Sequence, residues 1–186
     1  MSTLIVTNIK NTSSATNNIV TNTDGSATIA GASLLLSTAV ASTSVTSIDF
    51  FSIPSYVKRI TVMLSGVSTN ALSNYIIRMG SGSVDTTGYT SGTISVNSLA
   101  AAAFSSITSG FDIGLALATD TFRATAVLTL QNSSTYLWTY LSSGRGPLNG
   151  WVGSGEKTLS GTLDRISITT VGADTFDSGT INISYE

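Results

Sequence analysis

Apolar and polar residues alternate with a period of two in one segment after another of this 186-residue chain. In "VKRITVML", Ile60, Val62 and Leu64 fall on one face, and "NYIIRMG", "FDIGLAL", "RATAVLTL" and "TYLWTYL" repeat the pattern. A β-strand with one buried side has this periodicity. Turn-forming segments separate the runs at a spacing of roughly 8 to 12 residues, which is typical of sandwiches and barrels. The sequence therefore predicts an all-β fold, a jelly-roll-like antiparallel β-sandwich over residues 46–186.

The last segment, "LDRISITTVGADTFDSGTINISYE", predicts two further strands of the same kind. Ile166 and Ile168 face inward on the first strand, and Ile181, Ile183 and Tyr185 face inward on the second. The turn formers of "GADTFDSG" separate them. We expect the chain to finish on a strand held within a sheet, which needs no tail.

The first 45 residues differ from the rest in pattern, because short apolar clusters are spaced there by Asn, Thr and Ser. Three brief strands or an extended N-terminal β-arm would suit this text, with Asp24-Gly25 as a turn. We expect residues 1–45 to form an arm. Within residues 32–47 a helix, a strand pair and a linker all remain open.

Charged residues make up only 10% of the chain, the net charge is −2, and Cys and His are both absent. A basic field for nucleic acid is therefore missing, as are disulfides and thiolate metal sites. The commonest general base and transition-metal ligand is missing as well. No stretch approaches the roughly 18 apolar residues of a membrane span, and no basic and apolar leader is present. We expect a soluble protein made without a cleaved signal and without membrane insertion.

Few residues suggest a catalytic or metal site. Asp174 and Asp177 in "GADTFDSG" could hold Ca²⁺, but the spacing is not that of an EF-hand loop, and Asx-turn chemistry in a hairpin loop is the favoured interpretation. Without His, a serine nucleophile would need Lys10, Lys58 or Lys157 as its base. The segment "GSGEK" lacks the spacing of a phosphate-binding loop. We predict no enzyme activity, no catalytic residue, no cofactor and no bound metal.

Aromatic side chains are the remaining candidates for a binding site, since a sugar ring packs its apolar face on an aromatic plane. The candidates for glycan or receptor contacts are Trp151, Tyr89, Tyr136, Trp138 and Tyr140. The alternative is that Trp138 and one neighbour fill the core of the sandwich, as large aromatics usually do. Trp151 and Tyr89 stand in Gly-rich text, so we expect them to be exposed.

Two signatures resemble a known class of proteins. The opening "MSTLIVTNIKNTSS" is similar to the start of many virion proteins of tailed phages, especially those infecting cyanobacteria and other marine bacteria. The segments "DFFSIPSYVKRITVMLSGVSTN", "NYIIRMGSGSVDTTGY" and "WVGSGEKTLSGTLDRISITTVGADTFDSGTINISYE" resemble the C-terminal module of phage tail-fibre and related structural proteins. Together the matched stretches cover about half of the chain.

The resemblance implies a structural protein on the exterior of a phage particle. It implies a short tail fibre or fibre-knob subunit, a homotrimer whose N-terminus attaches to a tail adaptor, a nozzle or the capsid and whose β-domain points outward. Docking through the arm is then assigned to Leu4, Ile5, Val6 and Ile9. Recognition of a host-surface glycan is an added expectation. Two alternatives stay open, a capsid decoration protein that stabilises the shell and a lectin-like carbohydrate-binding module.

Overall fold

The structure is a computed structural model that describes residues 8–9, 19–21, 27–29, 34–99, 101–115, 118 and 120–186. Within these ranges the chain forms strands and no helix, and hence no helix that could cross a membrane. The strands are β1 (Asn8–Ile9), β2 (Ile19–Thr21), β3 (Ala27–Ile29), β4 (Leu35–Leu36), β5 (Val40–Ala41), β6 (Ser47–Phe51), β7 (Arg59–Thr69), β8 (Asn74–Ser81), β9 (Ser83–Val84), β10 (Thr90–Asn97), β11 (Ala102–Ile107), β12 (Phe111–Leu115), β13 (Phe122–Asn132), β14 (Leu137–Arg145), β15 (Asn149–Thr158), β16 (Arg165–Thr170) and β17 (Phe176–Tyr185).

Two antiparallel sheets build the main body. The larger sheet runs β11-β10-β15-β14-β13-β7-β17-β4, and β5 also pairs with β17. The smaller sheet runs β12-β8-β16-β6, and β9 pairs with β8. One hydrophobic cluster draws its side chains from strands of both sheets. The prediction of an all-β sandwich is confirmed.

Strand pairing in the sandwich is nested. Early strands pair with late ones, β7 with β17, β8 with β16 and β10 with β15, while β13 and β14 form the hairpin at the centre of the nest. A jelly roll has this arrangement, in which a long folded-over ribbon is wrapped into two sheets. The strand order within the larger sheet differs from that of a simple jelly roll, because the meander β13-β14-β15 lies between β7 and β10.

The alternation predicted for β7 is present, with Ile60, Val62 and Leu64 buried in the core. Strand β8 departs from it, because Ile76 on its other face is also fully buried. The loop before β12 covers that face. A Cβ at Gly110 would lie 3.0 Å from the Cβ of Ile76, and Arg78 donates from Nε to the Ser109 carbonyl at 2.9 Å. A period-two pattern cannot show a loop that folds over the outer face of a strand.

The N-terminal region contains three brief antiparallel strands, β1, β2 and β3, which form a sheet of their own. The predicted docking residues Leu4, Ile5 and Val6 lie outside the described residues, and Ile9 lies in β1. Strands β4 and β5 both pair with β17. Of the alternatives for this stretch, the helix is therefore wrong for residues 34–47, and short strands are present.

The predicted last strand is β17, which lies between β7 on one side and β4 and β5 on the other. Ile181 and Ile183 are buried, as predicted. Glu186 continues the ladder, since its N–H donates to the Arg59 carbonyl at 3.0 Å and its carbonyl accepts from the Arg59 N–H at 3.0 Å. Residues 171–175 carry the chain from the smaller sheet to the larger one, and the second half of "GADTFDSG" already belongs to β17.

Candidate functional site

Four of the five aromatic candidates lie in the core. Trp138 is 2% exposed, Tyr140 3%, Tyr89 2% and Trp151 7%. The prediction that Trp138 and a neighbour fill the core is confirmed, and the expected exposure of Trp151 and Tyr89 is wrong. A ring buried to this extent offers no free face on which a sugar could stack.

Glycines around Trp151 explain its burial. A Cβ at Gly114 would lie 2.9 Å from the indole, and a Cβ at Gly146 would lie 3.2 Å from it. The ring also packs edge-on against Phe122, with centroids 5.3 Å apart. These glycines look like loop formers in the sequence, but their missing side chains leave the space that the indole occupies.

Tyr89 is held by its hydroxyl and by its ring. The hydroxyl accepts from the Met79 N–H at 2.7 Å and donates to the Asp85 carbonyl at 3.0 Å. The ring meets Phe111 edge-on at 5.1 Å, and the Lys157 ammonium lies 5.0 Å from its centroid. Burial raises the pKa of this hydroxyl well above the usual value. Burial also raises the pKa of the Tyr75 and Tyr140 hydroxyls. Tyr75, Tyr89 and Tyr140 are called here the three buried tyrosines.

Tyr136 is the fifth candidate, and it is only partly buried. It follows a tight turn in which the Asn132 side chain accepts from the Ser134 N–H at 2.8 Å, and its own φ is 54°. Left-handed backbone is unfavourable for a non-glycine residue and is often found at binding sites. Tyr136, which follows this turn, lines a cavity together with Trp138.

This cavity, called here the Tyr136 cavity, has a volume of about 200 Å³. Val57, Leu130 and Leu163 supply apolar lining, and Lys58 and several hydroxyl side chains supply polar lining. The indole Nε1 of Trp138 is buried and has no hydrogen-bond partner among the described residues. A buried donor without an acceptor is rare in folded proteins and is normally satisfied by water or by a ligand.

Asp174 and Asp177 make different contacts. The Asp177 carboxylate accepts from the Ser68 hydroxyl, whereas the Asp174 backbone N–H donates to the Thr170 hydroxyl at 2.7 Å within its turn. The part of the chain that the structure describes contains no group of three or more acidic, His or Cys side chains suited to a metal ion. This geometry favours the turn interpretation over the calcium interpretation.

The lysines considered as serine activators are placed differently. Lys157 is buried, and its Nζ lies 2.9 Å from the Asp85 carboxylate and 2.9 Å from the Thr87 carbonyl. Lys58 lines the Tyr136 cavity beside Ser55 and Ser133, and Lys10 lies outside the described residues. In the residues that can be described, no hydrogen bond joins a lysine to a serine hydroxyl.

A buried polar network around Asp112 has no signal in the sequence. The Asp112 carboxyl group is fully buried and accepts from Asn74 Nδ2 at 2.9 Å, from the Thr93 hydroxyl at 2.8 Å and from the Gly114 N–H at 3.1 Å. Its backbone carbonyl accepts from the Tyr140 hydroxyl at 2.5 Å. All of these partners are uncharged, so the network joins β8, β10, β12 and β14 without an ion pair.

An apolar area lies exposed on the outside of the larger sheet. Ile94 on β10 lies directly opposite Phe104 on β11 and Val152 on β15. Directly opposite side chains in a sheet are neighbours at about 4.5 to 5.5 Å. Phe104 is 72% exposed and its ring lies over Gly92, where a Cβ would be 2.8 Å away. The whole area is called here the outer apolar surface and consists of Ile94, Val96, Leu99, Phe104, Leu141, Leu148 and Val152, all of them exposed.

The outer apolar surface is also free of charge over most of its extent. Residues 86–111, which contain β10 and β11, include no Asp, Glu, Lys or Arg. The charged residues beside it on the same face of the sheet are Arg145, opposite Gly150, and Glu156, two residues along β15 from Ser154, the partner of Leu141. A soluble protein rarely leaves a contiguous apolar and uncharged area of this kind open to water unless something binds there.

Comparisons with known proteins add no family. No family model matches the chain, and no curated protein matches it. Among solved structures, the comparison found a chain from the structure of the infectious bursal disease virus Gx strain. The alignment covers 86% of the present chain and 40% of the viral chain. The two share 8% sequence identity with a TM-score of 0.12. A likeness at that level carries neither a shared fold nor a shared function.

Proposed function

We propose that the protein is a structural subunit of a tailed-phage virion, a short tail fibre or fibre-knob subunit on the outside of the particle. One observation carries the proposal. The three separated stretches that resemble tail-fibre modules, residues 49–70, 74–89 and 151–186, contain β7, β8, β9, β16 and β17 and most of β6 and β15. Within each sheet the matched strands other than β15 are neighbours, because β7 pairs with β17 in the larger sheet and β16 pairs with both β6 and β8 in the smaller one. Strand β15 pairs instead with β10 and β14, which lie outside the matched stretches. The resemblance thus falls mainly on one paired group of strands in each sheet.

The N-terminal strands and the outer apolar surface support the same function. Strands β1 to β3 form a sheet separate from the two sheets of the sandwich, as suits an arm that docks elsewhere. A homo-oligomer attached through Leu4, Ile5, Val6 and Ile9 would present the sandwich outward. An uncharged apolar area suits a component that is used in an assembly.

Immunogold electron microscopy with antibodies against the sandwich tests this proposal on particles made from the genome that encodes the chain. We expect gold at the tail. Gold spread over the shell would overturn the fibre function in favour of capsid decoration, and particles without gold would overturn both. A chain without residues 1–30 should fold but fail to incorporate, and incorporation of that chain would contradict docking through the arm.

Recognition of a host-surface glycan is a second candidate function, and the Tyr136 cavity favours it. The cavity is lined by the partly exposed ring of Tyr136, by Trp138 and by Lys58, which supplies a positive charge. A sugar carboxylate is a suitable acceptor for the Lys58 ammonium, and the Tyr136 ring can pack on the sugar face. An acidic sugar is therefore favoured over a neutral one.

Calorimetric titration with glucuronic acid and with glucose distinguishes these ligands. We expect saturable binding of glucuronic acid that is weakened by salt, weaker binding of glucose, and loss of both in Tyr136→Ala. A Tyr56→Ala variant serves as a control, since Tyr56 is exposed and does not line the cavity. Absence of binding at millimolar glucuronic acid, or equal binding by both variants, would overturn this function.

A further inference from the structure

We infer that the outer apolar surface is a self-association surface, which a second copy of this chain covers. The proposed function includes a homo-oligomer but gives it no contact surface, and the inference goes beyond it by assigning one; the assignment depends on this surface alone and holds whether or not the protein belongs to a virion. Four observations carry it: the exposed apolar area, its extent, its lack of charge and the edge strand beside it.

The exposed side chains form one continuous area. Ile94 lies opposite Phe104 on one neighbouring strand and opposite Val152 on the other. Val96 lies two residues further along β10 on the same face. Leu99 lies in the turn after Asn97 and Leu148 in the turn before Asn149, and these two asparagines are paired. Both turns therefore lie at the same end of the sheet, next to Val96. Leu99 is 86% exposed and Leu148 is 68% exposed.

The extent of this area matches an interface between proteins. Exposed apolar side chains of this kind leave about 100 Å² each open to water, which for the outer apolar surface totals on the order of 700 Å². A standard stable interface covers about 800 Å² of each partner. Scattered single apolar residues need no partner, but a continuous area of this size does.

Lack of charge favours a second copy over a different protein. Interface cores are depleted of charged residues, and this is strongest in permanent homo-oligomers. A surface with net charge repels its own copy, whereas the uncharged residues 86–111 permit self-contact of β10 and β11 without electrostatic cost, and the charges beside Leu141 and Val152, on Arg145 and Glu156, are of opposite sign. A different partner that was steered by charge would have little to recognise here.

The edge strand β11 supports the same conclusion. The Asn97 N–H donates to the Ala101 carbonyl at 3.1 Å, so the backbone groups of Ala103 and Ser105 turn toward β10 and those of Phe104 and Ser106 turn to the free edge. Proteins usually protect an exposed edge with Lys or another charged residue, or with Pro. Strand β11, "AAFSSI", has none of these, and among the described strands only β10 pairs with it. A neighbouring copy on the outer apolar surface would shield this edge.

Analytical ultracentrifugation of two matched variants tests the inference. Phe104 and Phe51 are both exposed phenylalanines on strands, at 72% and 60%, but Phe51 lies on β6 of the smaller sheet. We expect the wild type and Phe51→Glu to sediment as oligomers of the same size. We expect Phe104→Glu to dissociate with a dissociation constant at least about 30-fold higher, with an unchanged far-ultraviolet spectrum. A wild type that is monomeric at all concentrations, or two variants with equal effects, would overturn the inference.

A second measurement does not depend on a destabilising charge. The chain contains no cysteine, so a single cysteine reports on one position. Val152→Cys should react with a maleimide at least about 10-fold more slowly than Phe51→Cys in the oligomer, and the difference should vanish on dilution to protomers. Equal reaction rates in concentrated protein would contradict a covered surface. Immunogold labelling of particles tests only the proposed function, whereas sedimentation and maleimide labelling test only the self-association surface. Either proposal can therefore be overturned without the other.

Discussion

Replacement of Asp112 by Ala should destabilise the sandwich more than any other substitution of an acidic side chain in the described part of the chain. Three donors lose their acceptor together: Asn74 Nδ2, the Thr93 hydroxyl and the Gly114 N–H. An unsatisfied buried donor costs about 1–3 kcal/mol, and Asn74, which is only partly buried, can recover some of this from water. We therefore expect the free energy of unfolding to fall by about 3–5 kcal/mol, a large part of the roughly 5–15 kcal/mol of a typical domain.

Urea denaturation followed by tryptophan fluorescence measures this effect, because Trp138 and Trp151 are both buried. Asp49→Ala is the matched control in the smaller sheet. Asp49 is exposed and accepts only from Ser47 at 2.9 Å, so its loss should change the free energy of unfolding by less than about 0.5 kcal/mol. If Asp112→Ala falls within 1 kcal/mol of the wild type (roughly the value of one ordinary hydrogen bond), the network does not hold the two sheets together.

Three further predictions concern strand spacing, a buried ion pair and alkaline pH. Gly155→Ala should lower the free energy of unfolding by about 1–3 kcal/mol, because its Cβ would lie 2.3 Å from the Thr90 carbonyl oxygen. Gly150→Ala in the same strand should raise the free energy of unfolding by up to about 1 kcal/mol, because its Cβ would meet nothing closer than 4.0 Å. Chemical denaturation compares the two variants. Lys157→Met should cost about 1–3 kcal/mol by the same measurement, since it removes the 2.9 Å ion pair with the partly exposed Asp85 carboxylate, and an unchanged midpoint would contradict a stabilising role. The three buried tyrosines stay protonated in the folded chain because burial raises their pKa. Above a pH of about 10 the unfolded chain therefore binds fewer protons than the folded chain, and the free energy of unfolding falls as pH rises. Phenolate absorbance that develops fully before unfolding would contradict this.

The strands were predictable because each has a local cause. Ile60, Val62 and Leu64 must share a face in any strand, and burial of that face follows from their apolar side chains. The nested pairing was less accessible, since pairing depends on contacts between residues far apart in the chain. The choice of β7 rather than β16 as the partner of β17 has no local signal.

The site was harder to predict than the fold, and for a physical reason. Gly-rich text around Trp151 and Tyr89 suggested loops, but glycines also make room for large rings within a sandwich. The outer apolar surface was missed because Ile94 and Val152 look like ordinary strand residues until the register places them opposite each other with Phe104. The lack of any charge over residues 86–111 was the one visible signal.

Nested pairing also has a consequence for how the chain reaches its folded state. Strand β7 ends at Thr69, and its partner β17 begins only at Phe176, so the larger sheet stays incomplete until nearly all of the polypeptide has been synthesised. Ribosomes add about 5–20 residues per second, and sheets built from distant segments close in roughly milliseconds to seconds. A nascent chain therefore carries β7 with one open edge for several seconds at least. Refolding of the purified polypeptide should accordingly be slow and sensitive to concentration, since that edge can pair with another molecule before its own last strand arrives.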